Sequence, residues 1–294
     1  FKGSNPTFGE YEDYPGEYTY KYPKAGQDNS VVSVWSYEIK THKLRKLQAP
    51  VQADSYIPRI KMTSDAQKII VYTLNRHQDE LCLYGVNPRS TMSQLIIKEN
   101  VPKYVKEEAI EGAIVGKSTI LLPSDRDGYM HIYIYGMNGQ QIRKVGDGNY
   151  DITAIYGYDE TTGDVYYQAA ALNAHDRQVY VSHKNGKTER LTNQEGWNSA
   201  IFSADYEYFI NTWSDYNTPY VYTVRNKSGK ILSTILDNHE LKQTAQQYGF
   251  TKKETFSFTT SEGVKLDGWM VKPADFDASR KYPVIMFQYS GPGS

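Results

Sequence analysis

The sequence of 294 residues lacks the features that mark disulfide-rich, membrane-spanning and nucleic-acid-binding proteins. It contains one cysteine, Cys82, so no disulfide can form within the chain. Its apolar runs are short, which predicts no transmembrane helix. The formal net charge is −1 and the basic residues are scattered, so we expect neither nucleic acid nor an anionic membrane as a partner. Phe1 opens no signal-peptide pattern, and we expect the chain to be part of a longer polypeptide.

The sequence also lacks a complete binding motif for a nucleotide or a metal ion. The stretch from Gly112 to Ser118 resembles a phosphate-binding loop, but three residues separate its glycines where four are required, and a strand-like stretch follows it. Asp125-Arg126-Asp127-Gly128 lacks the ligand series of a calcium loop. The six histidines show no metal-ligand spacing. The sequence therefore predicts no metal and no cofactor.

A third absence concerns the chemistry of catalysis. No Gly-x-Ser-x-Gly motif occurs, and Gly293-Ser294 does not form one because residue 292 is proline. We therefore identify no complete set of serine, histidine and aspartate in this chain.

Tyrosine is the residue that the sequence has in excess. Its 27 tyrosines belong to the residue types that favour strands. Residues 1–17 are rich in glycine and proline without periodicity, and we predict an irregular lead-in there. Cys82 lies in Leu-Cys-Leu-Tyr, which is typical of a buried strand thiol. The first predicted strands are 18–22, 31–39, 57–62, 68–74, 81–86 and 95–98.

An internal repeat follows the turns of the sequence. An alternating strand, a tight polar turn and a second strand recur, with the turn residues Asn87, Asn138, Asn185 and Ser228 at spacings of 51, 47 and 43 residues. Asn138-Gly139 and Asn185-Gly186 predict two-residue hairpin turns in which both central residues have positive φ. Four-stranded units that recur every 40–50 residues or so are typical of β-propeller blades. A long β-sandwich is the alternative, but its turns would be closer together and less regular.

The β pattern changes character at Asp237. Asn238 is predicted to cap a helix over residues 239–248 that ends at Gly249, and a hairpin is predicted for 254–259 and 264–271. The final stretch contains an apolar run at 284–287, bounded by Pro283 and by Ser-Gly-Pro-Gly. This run predicts a strand buried on both faces, as in a parallel α/β sheet, with Tyr289 on the lip of the turn that follows.

Several of these stretches, in the same order, resemble the dipeptidyl-peptidase IV family of prolyl-oligopeptidase-type serine peptidases. The most specific is Lys281-Tyr282-Pro283 running into Tyr289-Ser290-Gly291-Pro292-Gly293-Ser294. The resemblance covers nearly the whole chain from about Tyr18. The other stretches are Tyr22-Pro23-Lys24-Ala25-Gly26, residues 73–78 with 83–87, residues 124–128 with 131–133, and residues 148–153.

The resemblance implies a mainly β fold: part of an eight-bladed β-propeller, followed by the first strands of an α/β-hydrolase domain. On that basis we assign residues 1–236 to the propeller and 237–294 to a linker helix and the start of the hydrolase domain. It also implies that the blades with the paired glutamates for the substrate's amino terminus precede this chain. The nucleophile, aspartate and histidine are expected after it, so this fragment alone is expected to be inactive.

One functional residue carries over from the family, namely Tyr289. In such peptidases a tyrosine just after this strand donates a hydrogen bond to the oxyanion. A phenol is protonated at neutral pH and can donate there, which suits charge that develops only in the tetrahedral intermediate. Tyr289 is therefore the predicted oxyanion-hole residue.

The resemblance further implies peptide substrates with proline or alanine at the second position and release of amino-terminal dipeptides. We expect the full-length parent to be able to form a homodimer. A tripeptidyl peptidase of the same family and a non-catalytic propeller that binds partners remain the alternatives. The single cysteine and the near absence of glycosylation sequons favour a periplasmic or extracytoplasmic protein of a bacterium, with a cytosolic protein as the alternative.

Overall fold

The computed structural model describes residues 5, 7–10, 13–14 and 16–289. Two hairpins come first: β1 (Thr7–Glu10) pairs with β2 (Gly16–Thr19), and β3 (Trp35–Glu38) pairs with β4 (Lys43–Lys46). The irregular lead-in predicted for residues 1–17 is therefore wrong at 7–10 and 16–17. A short hairpin forms there, and its backbone pairs in register from Thr7 with Thr19 to Glu10 with Gly16.

Four antiparallel sheets of four strands follow, which we call sheets I to IV. Their strands pair in sequence order within each sheet, so each sheet is a simple meander. This confirms the prediction of four-stranded units that recur along the chain. Sheet I contains β5 (Ile60–Met62), β6 (Ile69–Leu74), β7 (Glu80–Val86) and β8 (Ser93–Asn100). Sheet II contains β9 (Ile114–Val115), β10 (Thr119–Ser124), β11 (His131–Gly136) and β12 (Gln141–Val145). Sheet III contains β13 (Ile152–Asp159), β14 (Asp164–Ala169), β15 (Gln178–Ser182) and β16 (Thr188–Arg190). Sheet IV contains β17 (Trp197–Phe202), β18 (Tyr208–Asp215), β19 (Thr218–Asn226) and β20 (Ile231–Leu236).

Each sheet packs on the next one through alternating rows of side chains. Successive residues of a strand point to opposite faces, so a strand can supply one row to the preceding sheet and one to the following sheet. The central strands of sheets II and III are consequently buried on both faces, and Cys82 in sheet I is buried as predicted. The residues that share an apolar cluster across each interface include Tyr72 with Leu122, Leu121 with Tyr167, and Tyr166 with Phe209.

The antiparallel order also decides where the connections lie. A parallel bridge between Arg177 and Trp197 shows that sheets III and IV run in the same sense. With that orientation, the turns between second and third strands lie on the same side as the links from one sheet to the next. We call this side the connection rim. It comprises the turns at residues 75–79, 125–130, 170–177 and 216–217 and the links at 101–113, 146–151, 191–196 and 237–252.

The two Asn-Gly turns join the third and fourth strands of sheets II and III, as predicted, but they are not two-residue turns. Gly139 and Gly186 have positive φ (84° and 88°), whereas Asn138 and Asn185 do not. Each turn has a three-residue loop in which the asparagine Oδ1 accepts a backbone N–H two residues ahead, at 3.1 Å from Gln140 and 2.9 Å from Lys187. The asparagine side chain thus closes the turn without taking up the left-handed conformation.

The remaining elements lie outside the four sheets. The helix α1 (Glu107–Glu111), which the sequence did not predict, lies in the link between sheets I and II, with Ala109 and Ile110 buried. The helix predicted for residues 239–248 is confirmed as α2 (His239–Gln247). The predicted cap is wrong, because the Asn238 side chain does not cap the helix and instead donates to the Tyr220 carbonyl at 2.7 Å. The predicted hairpin is confirmed as β21 (Lys253–Thr259) paired with β22 (Lys265–Val271).

The predicted strand at residues 284–287 is wrong in this structure. These residues have no regular secondary structure, and their four side chains are between 85 % and 96 % exposed. A strand needs a neighbour to pair its backbone groups, and in the described part of the chain no strand lies beside this run. The apolar composition therefore predicted burial that the described residues do not provide.

Candidate functional site

Tyr289, the predicted oxyanion donor, lies at the end of the described chain. Its side chain is 78 % exposed, and it follows the irregular run at 284–287. The rest of the motif, Ser290 to Ser294, lies outside the described residues. The structure therefore leaves the phenol accessible, and the oxyanion role stays a prediction.

The connection rim is the side of the sheets that the β21–β22 hairpin contacts. The hairpin meets it at Asn217, in the β18–β19 turn, and at His175, in the β14–β15 connection. Both belong to the same class of turn, between the second and third strands of consecutive sheets. The equivalent turn of sheet II is Asp125-Arg126-Asp127-Gly128, which the resemblance singled out.

A buried ion pair holds the sheet II turn to sheet I. Glu99 on β8 is 4 % exposed and accepts a hydrogen bond from Arg126 Nη2 at 2.6 Å. Its other oxygen accepts from the Ser124 hydroxyl. Arg126 also donates from Nη1 to the Tyr135 hydroxyl at 2.8 Å, and its guanidinium carbon lies 4.0 Å from the centroid of the Tyr133 ring. These contacts fix the arginine in one geometry.

The protonation of this pair follows from its surroundings. Burial raises the pKa of the Glu99 carboxyl above its ordinary value, against the opposing effect of the Ser124 and Arg126 hydrogen bonds. Burial acts to lower the pKa of Arg126, but the charge of Glu99, the hydrogen bond to Tyr135 and the nearby phenols together outweigh it, and the net shift is upward. The guanidinium therefore stays charged, and it is neutralised inside the protein.

The two aspartates of the same turn are also paired. Lys106 contacts the Asp125 carboxylate at 3.1 Å, and Lys144 contacts Asp127. The Asp127 carboxylate further lies 3.5 Å from Nδ1 of the buried His131. The carboxylates of this turn are therefore occupied by basic side chains of the protein itself.

The loop that resembles a phosphate-binding motif is filled by the protein itself. Glu160, in the β13–β14 turn of sheet III, accepts hydrogen bonds from the backbone N–H groups of Lys117 at 2.8 Å and Ser118 at 3.2 Å, and from the Thr119 hydroxyl at 3.3 Å. A side chain at Gly116 would overlap this carboxylate. The backbone amides that a phosphate would need are therefore occupied by a carboxylate that joins two sheets.

The described residues contain neither a metal-site arrangement nor a membrane-spanning helix. No group of three or more histidine, cysteine, aspartate or glutamate side chains has the arrangement of a metal site there. Among those residues, no helix has the length and apolar character needed to cross a bilayer.

Sequence reasoning missed the Glu99–Arg126 pair. Glu99 lies in Lys98-Glu99-Asn100, a charged stretch that reads as solvent-exposed. The burial of Glu99 could have been predicted from the alternation of side chains along β8, because Ile97 and Glu99 are two residues apart and therefore lie on the same face. Both are buried.

Comparison with known proteins identifies the group to which this architecture belongs. Residues 4–220 match the family described as the dipeptidyl peptidase IV (DPP IV) N-terminal region. The crystal structure of Porphyromonas gingivalis dipeptidyl peptidase 4 is similar with a TM-score of 0.93 and 39 % identity, over 99 % of this chain and 42 % of that one. A structure described as a dipeptidyl aminopeptidase IV from Bacteroides ovatus has the same fold, with a TM-score of 0.77 at 21 % identity over 96 % of this chain and 43 % of that one.

Curated relatives agree with the solved structures. The dipeptidyl peptidases 4 of Arthroderma otae and Trichophyton rubrum are each 27 % identical over 296 residues, which is 96 % of this chain. The chain spans only 38 % of the length of either relative. Four consecutive four-stranded sheets, the matched residues 4–220 and this similarity together show that the chain belongs to the family of the dipeptidyl peptidase IV N-terminal region.

Proposed function

We propose that this chain is the propeller-bearing part of a serine exopeptidase that releases X-Pro or X-Ala dipeptides from the amino termini of peptides. The observation that carries the proposal is the similarity to P. gingivalis dipeptidyl peptidase 4, which extends over 99 % of the chain and therefore includes the segment that leads to Tyr289. No second function has a comparable observation in its favour.

In the proposed mechanism the chain supplies one group to the chemistry. A serine attacks the substrate carbonyl, an acyl-enzyme forms, and water releases the dipeptide. The Tyr289 phenol donates a hydrogen bond to the oxyanion of the tetrahedral intermediate, where the charge is larger than in the bound substrate. Its side chain is exposed, so the hydroxyl is accessible to a bound substrate.

Two further properties of the full-length protein belong to this proposal. It forms a homodimer, which light scattering on the purified full-length protein would measure directly. It resides outside the cytoplasm of a bacterium; the bacterial origin is supported by two of the similar structures, which come from bacteria. Fractionation of the native host with an antibody against the chain would test the location.

The activity is tested on the full-length protein with chromogenic dipeptide substrates. We expect hydrolysis of Gly-Pro and Gly-Ala derivatives, no hydrolysis of a Gly-Gly derivative, and complete loss after a serine-directed covalent inhibitor. Cleavage of tripeptide derivatives alone would make it a tripeptidyl peptidase. No cleavage of any of them, by folded protein, would favour the binding module.

The 294-residue chain by itself provides the control. It contains the proposed oxyanion donor but no nucleophile, and a donor without an attacking group gives no turnover. Inhibitor-sensitive activity that survives rigorous purification of the chain would contradict the proposed division of the catalytic groups.

A further inference from the structure

The β21–β22 hairpin is attached to the sheets without an apolar core. All seven residues of β21 are exposed, and six of the seven in β22 are exposed. The large side chains of the hairpin include Phe258 at 50 % and Trp269 at 53 % exposure. Because burial of apolar surface is the usual source of stability, its scarcity here means that polar contacts decide where the hairpin sits.

The strongest of these polar contacts comes from one asparagine side chain. Asn217 Oδ1 accepts the backbone N–H of Lys253 at 2.8 Å, and Asn217 Nδ2 donates to the backbone carbonyl of the same residue at 3.2 Å. Lys253 is the first residue of β21, and it pairs with Val271 of β22. The carboxamide thus takes the place of a neighbouring strand and satisfies both backbone groups of one edge residue.

Asn217 is well placed for this task because the turn that carries it is held independently of its side chain. Its own backbone N–H donates to Asp215 Oδ1 at 2.8 Å, which closes the turn between β18 and β19. Removing the carboxamide would therefore leave the turn intact.

A second and weaker contact lies on the neighbouring sheet. His175 Nδ1 is 3.7 Å from Asp267 Oδ2 on β22, and both side chains are more than 40 % exposed. Asp267 is in turn held by the Ser257 hydroxyl of β21 at 2.6 Å. At this distance and exposure the pair adds little, since exposed ion pairs are commonly worth close to nothing.

We propose that the Asn217 carboxamide is the anchor that fixes the β21–β22 hairpin, and with it the chain leading to Tyr289, to the connection rim of sheet IV. The inference rests on the two hydrogen bonds and the exposure of the hairpin, and it holds whether or not the parent is a peptidase. Asn217 acts here as a positioning residue between two parts of the chain.

Hydrogen exchange measured by mass spectrometry on the 294-residue chain tests this anchor. In Asn217→Ala we expect the amides of residues 253–259 and 265–271 to exchange about tenfold faster, as the loss of two hydrogen bonds would cause. Amides of sheet III should be unchanged. Asn185→Ala is the matched control: its side chain closes a turn of sheet III through Lys187 and has no contact with the hairpin given by the structure.

The same bonds can be removed from the other partner. Lys253→Pro deletes the N–H that Asn217 accepts, at the first position of an edge strand where proline is tolerated, whereas Lys253→Ala keeps it. We expect faster exchange of the hairpin in the proline variant alone, and little additional effect when it is combined with Asn217→Ala. The proposal would be overturned if hairpin exchange in Asn217→Ala and in Lys253→Pro stayed within twofold of the parent. It would also be overturned if the exchange rates of the hairpin and of sheet III rose equally.

Discussion

Three tyrosines of this chain show how the surroundings of a residue decide its role. Tyr72 is completely buried and its hydroxyl has no hydrogen-bond partner. Tyr135 is 7 % exposed and its hydroxyl accepts a hydrogen bond from Arg126. Tyr289 is exposed, and it is the residue proposed to donate a hydrogen bond to the oxyanion. The same substitution, tyrosine to phenylalanine, should therefore have three different outcomes.

Tyr72→Phe should stabilise the chain by about 1 kcal/mol, because it removes a buried hydroxyl that lost its water and gained no partner. Tyr135→Phe should destabilise it by about 1–2 kcal/mol, because Arg126 then loses an acceptor. Urea denaturation of both variants beside the parent gives the two free energies of unfolding. Equal effects of the same sign would mean that the Tyr72 hydroxyl has found a partner.

The Tyr72 difference should also depend on pH. Burial raises the pKa of Tyr72 to about 12, so the neutral phenol is favoured in the folded state. The stability that this supplies is fully present below the unfolded pKa near ~10 and is lost as pH rises towards the folded value. The advantage of Tyr72→Phe over the parent should thus grow between about pH 10 and 12, measured by denaturation at several pH values.

For Tyr289 we expect an effect on catalysis and not on folding. In the full-length protein, Tyr289→Phe keeps the ring and removes the hydroxyl, so kcat should fall by about 10²–10³ with KM nearly unchanged. Steady-state kinetics and a thermal melt of the same preparation measure both properties. A kcat within about threefold of the parent, far below the effect of known oxyanion donors, would leave Tyr289 without a catalytic role.

At the scale of elements, the turns between third and fourth strands differ in what they touch. Gly139 in sheet II lies against sheet I, where an added Cβ would overlap the carbonyl oxygen of Ile96. Gly186, the equivalent residue of sheet III, has nothing within 4 Å of such an atom. Because the two glycines have nearly the same φ, a substitution at Gly186 measures backbone strain alone, whereas the same substitution at Gly139 measures strain plus steric overlap.

Gly186→Ala should destabilise the chain by about 1 kcal/mol, the cost of a side chain in the left-handed region. Gly139→Ala should cost about 2–4 kcal/mol, because the overlap with Ile96 adds to that strain. Urea denaturation of the two variants gives the comparison. If both lose the same amount, the Gly139 turn must be able to move away from sheet I without penalty.

The elements that sequence patterns predicted well are those with strong local signals. Alternation and tight polar turns located the strands of sheet I and the third and fourth strands of sheets II to IV, since period two and turn residues act within a few positions. The type of those turns was predicted wrongly, because asparagine can close a turn through its side chain as well as through positive φ. Helix α1 was missed because its five residues are too few to show a period.

Contacts between distant parts of the chain were beyond sequence reasoning. Glu160 reaches Lys117 and Ser118 across 43 and 42 positions, and nothing in either stretch marks the other. The candidate site was predicted only as far as Tyr289, because its identity came from a resemblance and its neighbours are not fixed by local patterns. The residues at 284–287 show the limit most clearly, since their composition predicts a buried strand while burial depends on what packs against them.

At the scale of the whole molecule, the division at residue 236 remains a prediction. Helix α2 has no buried residue, and the strands of the following hairpin are almost entirely exposed. Ending the chain after Leu236 should therefore shift the melting temperature by no more than about 2 °C, which corresponds to less than 1 kcal/mol or so for a domain of this size.

Calorimetry of the shortened chain beside the parent measures this shift. Single-residue changes in the sheets, such as Gly139→Ala, provide the scale for a real loss of stability. A fall of about 8 °C or more, equivalent to several kcal/mol, would mean that residues after 236 belong to the same folding unit as the sheets.

The alternating rows of sheets I to IV also have a consequence for how the chain acquires its structure. Each sheet is a meander of consecutive residues and is covered by the sheet that is synthesised next, so the apolar contacts join strands of one sheet or of two successive sheets. We expect assembly on the ribosome to proceed sheet by sheet, with the last finished sheet exposing one apolar row until its successor emerges. A pause in translation once Leu191 has emerged from the ribosome would then leave Tyr166 and Val181 uncovered, and it would expose the nascent chain to aggregation or to capture by a chaperone.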